Sequence, residues 1–153
     1  MVSAEIGSAA ARCSHVHFFR HMTTVTFGSM GLRPELHSAL SKMGFTTPTA
    51  IQRASIEHIL ASRQDVIALA QTGTGKTGAF SLPVLSLLDE KLKKPQVLIL
   101  CPTRELCLQI SKDIKAFAAD MPLVKVAAIY GGDSYVGQHN ALYAGPQVIV
   151  ATP

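Results

Sequence analysis

The run Ala70-Gln71-Thr72-Gly73-Thr74-Gly75-Lys76-Thr77 has the residue types and spacing to hold a polyphosphate. Gly73 and Gly75 carry no Cβ, so the backbone can turn tightly and converge several N–H groups on phosphate oxygens. A helix opening at Lys76 would add the positive end of its dipole. The Lys76 ammonium would then lie against the β- and γ-phosphates, and the Thr77 hydroxyl would be offered to Mg²⁺. Ala70 stands where the general phosphate-loop pattern has its first glycine. Such a loop implies a nucleoside triphosphate and leaves the reaction open.

The loop needs a strand before it and a helix after it. Val66–Ala70 reads as a short apolar strand, and residues 76–88 read as a helix in which Pro83 should cause a kink or local loosening. Upstream, Leu32, Leu36, Leu40 and Met43 recur at helical spacing, with Pro34 near the start and Gly44 just past the end. Thr47-Pro48 predicts the opening of a second helix, lined on one face by Ile51, Ala54, Ser55 and Ile59. Downstream, Val97–Cys101 reads as a strand. A helix over residues 104–118 follows, with Leu106, Cys107, Ile110, Ile114 and Phe117 on one face. Val124–Tyr130 and Val148–Ala151 read as two more strands. Between them lie a Gly131-Gly132 turn and a weaker helix running to Ala144. Apolar strands alternating with amphipathic helices predict an α/β fold, a parallel sheet with helices on both faces.

Two more segments carry candidate chemistry. Gln52 has the donor and acceptor to pair with adenine N6 and N7, and Phe45 offers an aromatic face; an exposed helix glutamine is the plainer alternative. Pro102-Thr103-Arg104-Glu105-Leu106 follows a strand and opens a helix, so its N–H groups and Arg104 face an anion. A salt bridge from Arg104 to Glu105 or another acid is the alternative there. His37, His58 and His139 stand alone. Asp133 reads as a turn residue, and Tyr130 as core or rim.

Taken in order, these segments resemble the DEAD-box RNA helicases. Phe27 and the stretch from Gly44 to Gln52 resemble the family's Q motif, and Ala70–Thr77 resembles its motif I. Residues 102–106 resemble motif Ia, Gly131-Gly132 the glycine doublet, and Ala151-Thr152-Pro153 the start of a Thr-Pro-Gly-Arg motif. The resemblance covers residues 27–153; Leu92–Gln96 and Tyr130–Gly132 are most similar in wording to bacterial cold-shock and ribosome-assembly members. It implies a partial RecA-like lobe that binds ATP and Mg²⁺ and acts in RNA unwinding. Gln52, Phe45 and Phe27 would select adenine, and Thr72, Gly73, Thr74, Gly75, Lys76 and Thr77 would hold the triphosphate and metal. Pro102, Thr103, Arg104, Gly131, Gly132, Thr152 and Pro153 would grip the RNA backbone without reading sequence. Cys107 replaces the alanine usual after motif Ia.

The Asp-Glu-Ala-Asp and Ser-Ala-Thr segments of the family do not occur in the sequence, nor does a second lobe. The resemblance therefore implies an ATP-binding fragment without effective turnover. It also implies apolar edges on the phosphate-loop strand and on Val97–Cys101, with poor solubility as the consequence. Two other readings stay open: a non-catalytic product that holds nucleotide or RNA, and a different P-loop enzyme such as a DNA helicase or kinase.

The 153 residues, 48% hydrophobic and 16% charged, suffice for one core. A formal charge of +4 suits an anionic ligand without specifying one. Cys13, Cys101 and Cys107 form neither a paired framework nor a metal motif, which points to reduced thiols and the cytoplasm. No apolar run is long enough for a membrane span. Residues 1–26 are basic and without periodicity. They read as a disordered or artefactual tail, with translation beginning at Met22, or as an organelle transit peptide.

Overall fold

A computed structural model describes residues 25–153 of the protein. The readings of a tail, a transit peptide or a start at Met22 fall on residues outside that range. At its border, Val25 packs against the core, so the tail reading does not extend to it.

Five helices and three strands follow a short 3-10 turn at Phe27–Ser29. They run α1 (Pro34–Lys42), α2 (Ala50–Ala61), α3 (Lys76–Leu87), β1 (Val97–Leu100), α4 (Arg104–Phe117), β2 (Val126–Ile129), α5 (Tyr135–Tyr143) and β3 (Val148–Ala151). The strands form a parallel sheet in the order β1-β3-β2. Leu100 and Ile129 both pair with Ala151, so the carboxyl ends of the three strands lie level.

Alternation along the strands puts Val97, Ile99, Val126, Ala128, Val148 and Val150 on one face. That face packs with Leu36 and Leu40 of α1, Leu82 and Leu85 of α3, and Ile110, Ile114 and Phe117 of α4. Full burial of each such side chain stabilises the fold by about 1.5–3 kcal/mol. On the other face, Ile129 shares a cleft with Gln138, His139 and Leu142 of α5. Leu98 and Leu100 of β1 point to that second face and stay 63% and 64% exposed. Both faces are therefore covered in part, the second least at β1.

Several local expectations need correction. Val66–Ala70 is not a strand, because a ladder needs a hydrogen-bonded neighbour and the segment has none among the described residues. Ile67 and Leu69 remain 91% and 89% exposed there. The cap of α2 is Thr49, not Thr47. Its hydroxyl accepts from Gln52 N while the Gln52 side chain accepts from Thr49 N, a reciprocal capping box. Pro48 consequently precedes the helix. The buried face of α2 centres on Ser55 and Ile56, and Ala54 is exposed. Helix α3 runs through Pro83 without a break, and Pro83 is buried against the core. Strand β2 is shorter than expected because the Tyr130 N–H donates to the Gln138 side chain rather than to a strand. Leu106 lies at the edge of the α4 apolar face and is part exposed.

A buried glutamine ties the loops at the amino ends of the strands. Gln147 Oε1 accepts from Lys125 N at 2.8 Å, and Nε2 donates to the carbonyls of Glu90 at 3.0 Å and Leu123 at 3.2 Å. The lone histidines have structural surroundings. His37 and His58 bond to the Leu32 carbonyl and the Ser62 hydroxyl, and the His139 ring sits between those of Tyr135 and Tyr143.

Candidate functional site

The loop at residues 70–77 has the backbone its glycines predict. Gly73 and Gly75 adopt φ of +79° and +84°, the left-handed region that side-chain-bearing residues avoid. Helix α3 begins at Lys76 with no side chain capping it. Its first N–H groups are therefore the donors an anion would meet. Lys76 Nζ donates to the Ala70 carbonyl at 2.6 Å, which folds the ammonium back over the loop. Thr74 Oγ1 donates to the Gln71 carbonyl at 2.8 Å, closing the turn. Thr72 lies exposed on the same loop.

The amino end of α2 is fastened to this loop. Thr49 Oγ1 donates to the Thr74 carbonyl at 2.9 Å, and Gln52 Nε2 donates to the Gly75 carbonyl at 3.1 Å. A Cβ on Gly75 would stand 2.5 Å from Gln52 Nε2, and one on Gly78 would stand 2.8 Å from it. Gln52 therefore lies flat across two glycines, and a side chain at either position would have to displace its amide. Its amide keeps one N–H and one lone pair beyond these bonds, the pair needed to meet an adenine edge. Clefts of about 350 Å³ and about 490 Å³ flank the segment, the first lined by Thr47, Pro48, Arg53 and Glu57, the second by Ile51, Leu69, Ala70 and Thr74. The two expected aromatics part company. Phe45 is 50% exposed, whereas Phe27 is 4% exposed within the core. Phe27 has no open face for a base, because its ring packs in the apolar cluster.

A second group of residues gathers at the carboxyl ends of the strands. Thr103 caps α4, accepting from Leu106 N through its hydroxyl. Arg104 follows, its guanidinium 4.8 Å from the centre of the Tyr130 ring and Nη1 donating to the Gly132 carbonyl at 3.4 Å. Among the described residues Arg104 forms no ion pair with Glu105 or any other acid. Gly132 has φ of +81°. Thr152 follows β3 and donates its N–H to Ile129 at the end of β2. Motif Ia, the glycine doublet and Thr152 thus converge on one rim. Pro102, Gly131 and Pro153 flank these residues in the chain and are part or fully exposed.

Tyr130 and Asp133, given no role from sequence, belong to this rim. The Tyr130 hydroxyl donates to Asp133 Oδ2 at 2.7 Å. That bond, with the Ser134 N–H, holds the Asp133 carboxyl below its ordinary value, and the same bond pushes the Tyr130 hydroxyl up. No periodicity or motif marks the pair. The Thr49–Gln52 cap, which the sequence reading set at Thr47, carries a Thr-x-x-Gln signature that could have found it. Among the described residues no cluster of three or more His, Cys, Asp or Glu side chains is placed to hold a metal ion.

The chain is similar to several known proteins. The chain is 48% identical over 128 residues to the ATP-dependent RNA helicase DeaD of Escherichia coli K12, covering 84% of this chain and 20% of the relative. The same-named protein of Mycobacterium tuberculosis H37Rv is 44% identical over 131 residues, covering 86% of this chain and 23% of the relative. The chain therefore spans about a fifth of the length of these curated relatives. Among solved structures, an RNA helicase of Chaetomium thermophilum bound to ADP superposes with a TM-score of 0.69 at 41% identity, over 82% of this chain and 31% of that one. A DEAD box protein from Methanococcus jannaschii gives 0.74 at 33% identity, over 84% and 34%. A S. cerevisiae protein bound to RNA and ADP BeF3 gives 0.72 at 29% identity, over 84% and 32%. These neighbours make the three-stranded sheet part of a RecA-like lobe. The model of the DEAD/DEAH box helicase family matches residues 49–153, and the chain belongs to that family.

Proposed function

We propose that this chain is the nucleotide-gripping part of an ATP-dependent RNA helicase, and that it holds ATP at residues 72–77. The observation that carries the reading is the coupling of the phosphate loop to the α2 amino end through Thr49 and Gln52. The coupling sets a base-reading amide beside a phosphate-reading backbone. The phosphates would take the N–H groups of Gly73–Thr77 together with Lys76, whose ammonium would exchange the Ala70 carbonyl for an anionic oxygen. Gln52 would meet the adenine edge, with Phe45 as the open aromatic.

The donor set suits Mg²⁺ only in its usual form beside a nucleotide, largely hydrated and riding on phosphate oxygens. Thr77 would contribute one hydroxyl, and bound Mg²⁺ would supply charge neutralisation at the phosphates. The remaining residues bind and orient.

The rim formed by Thr103, Arg104, Gly131, Gly132 and Thr152 would meet the phosphodiester backbone of RNA, with Pro102 and Pro153 shaping its approaches. Main-chain N–H groups and a guanidinium grip phosphate irrespective of sequence. The M. tuberculosis and E. coli relatives are named as RNA helicases, and the S. cerevisiae neighbour holds RNA, which supports this reading. No helix among the described residues is long and apolar enough to cross a membrane. A cytoplasmic location is the reading that fits the free thiols. Residues 27–153 would act as the ATP-binding part of a RecA-like lobe. The test is competition between ATP and GTP for this chain and for Gln52→Ala. Preference for ATP that Gln52→Ala erases supports the assignment. Equal binding of both nucleotides by the parent chain would remove it.

A further inference from the structure

We infer that Tyr130 is a positioning residue for Arg104: its ring holds the guanidinium at the sheet rim in the orientation that meets a phosphodiester, and Asp133 fixes the ring. This rests on the reading above that Arg104 faces RNA phosphate.

The geometry carries it in three steps. The Arg104 guanidinium carbon lies 4.8 Å from the Tyr130 ring centre, within the range where a cation is drawn to an aromatic face. The tyrosine is held at both ends. Its main-chain N–H donates to Gln138 Oε1 at 2.9 Å and its carbonyl accepts from Gln138 Nε2 at 3.0 Å, while its hydroxyl donates to Asp133 Oδ2 at 2.7 Å. A side chain held at both ends makes a rigid shelf, and an arginine resting on it gives up less rotamer freedom on binding.

Asp133 contributes in a second way. It stands close enough to feel the Arg104 charge, yet its oxygens accept from the Tyr130 hydroxyl and from Ser134 N at 2.7 Å. Each carboxylate oxygen thus already accepts one bond, and among the described residues Arg104 has no ion pair. The guanidinium spends one hydrogen bond on the Gly132 carbonyl and keeps its other N–H donors for an incoming phosphate.

The test is binding of a fluorescein-labelled oligouridylate to the full chain, followed by anisotropy over a range of salt. Arg104→Ala should weaken binding and lower the salt slope by about one. Tyr130→Leu should weaken binding about 2–5-fold, while Tyr130→Phe, which keeps the ring, should retain at least about half the affinity. In an Arg104→Ala background, Tyr130→Leu should have no further effect. A loss from Tyr130→Leu that is the same in both backgrounds, or absent from both, overturns the positioning role and leaves the Arg104 assignment standing. No loss from Arg104→Ala overturns the RNA reading of Arg104, and the positioning role with it. If Tyr130→Leu does not fold, the native chain still decides. The Arg104 Nε–H proton resonance, assigned by its loss in Arg104→Lys, should be displaced by the ring, and a resonance at the free-arginine position would overturn the inference.

Discussion

Gly73 and Gly75 share one loop and one backbone region, yet the structure assigns them different tolerances. A Cβ on Gly73 meets nothing within 4 Å, whereas a Cβ on Gly75 meets Gln52 Nε2 at 2.5 Å. Gly73→Ala should therefore cost only the left-handed strain, about 1–2 kcal/mol. Gly75→Ala costs that strain and also displaces the Gln52 amide. The displaced amide is the flexible end of a side chain, so it moves rather than forcing the backbone apart. What is lost is its bonds to Gly75 O and Thr49 N, worth about 1 kcal/mol each. Gly75→Ala should thus be less stable than Gly73→Ala by about 1–2 kcal/mol. Urea unfolding followed by far-UV circular dichroism measures the difference. Repeating both substitutions in a Gln52→Ala background should bring them level, since the obstructing amide and its bonds are already gone. Equal costs in the parent background, or a gap that persists without Gln52, would refute the argument that Gln52 sets the tolerance of this loop.

Gln147→Leu should destabilise the fold by about 3 kcal/mol, since it strands the Lys125 N–H and two carbonyls at a buried position. A thermal melt should fall by about 6–12 °C, and a shift under 2 °C (about the effect of an inconsequential substitution) would contradict the clamp. Burial pushes the thiols of Cys101 and Cys107 above their ordinary value of 9.0. Folding then favours the protonated thiol, so this contribution is intact below pH 9.0 and is lost as the pH rises through the raised folded values. Unfolding curves between pH 8 and pH 10 (roughly the span around the free-thiol value) should show the loss, and Cys101→Ala with Cys107→Ala should flatten it. Leu98→Lys with Leu100→Lys should raise solubility while changing stability by less than about 0.5 kcal/mol, because both side chains already face solvent. Sedimentation of parent and variant at matched concentration reads this, and unchanged aggregation would place the sticky surface elsewhere.

Legibility in the sequence followed the range of the interactions. The turn before α3 was legible because its conformation is local: Gly73 and Gly75 adopt a left-handed backbone, and α3 starts at Lys76. The parallel sheet was legible from the apolar runs at Val97, Val126 and Val148. Val66–Ala70 read as a strand on the same grounds, but strand formation is a property of pairs, and composition says nothing about the partner. Phe27 illustrates the opposite error. A motif supplies residue types in order, whereas burial depends on the folded neighbours, here the apolar cluster that Phe27 joins. Tyr130 and Asp133 were invisible because their role exists only where the Arg104 side chain crosses between chain segments far apart in sequence.

Residues 72–77 are proposed to hold a nucleoside triphosphate through Lys76 and the loop backbone. Calorimetric titration of the chain and of Lys76→Ala with ATP and Mg²⁺ tests it most directly, with urea unfolding of both as the control. Binding by the parent, loss of binding in Lys76→Ala, and unfolding curves that coincide within about 0.5 kcal/mol are expected, because Lys76 is exposed and, among the described residues, its ammonium bonds only to the Ala70 carbonyl. Equal affinity in the two proteins would contradict the proposal.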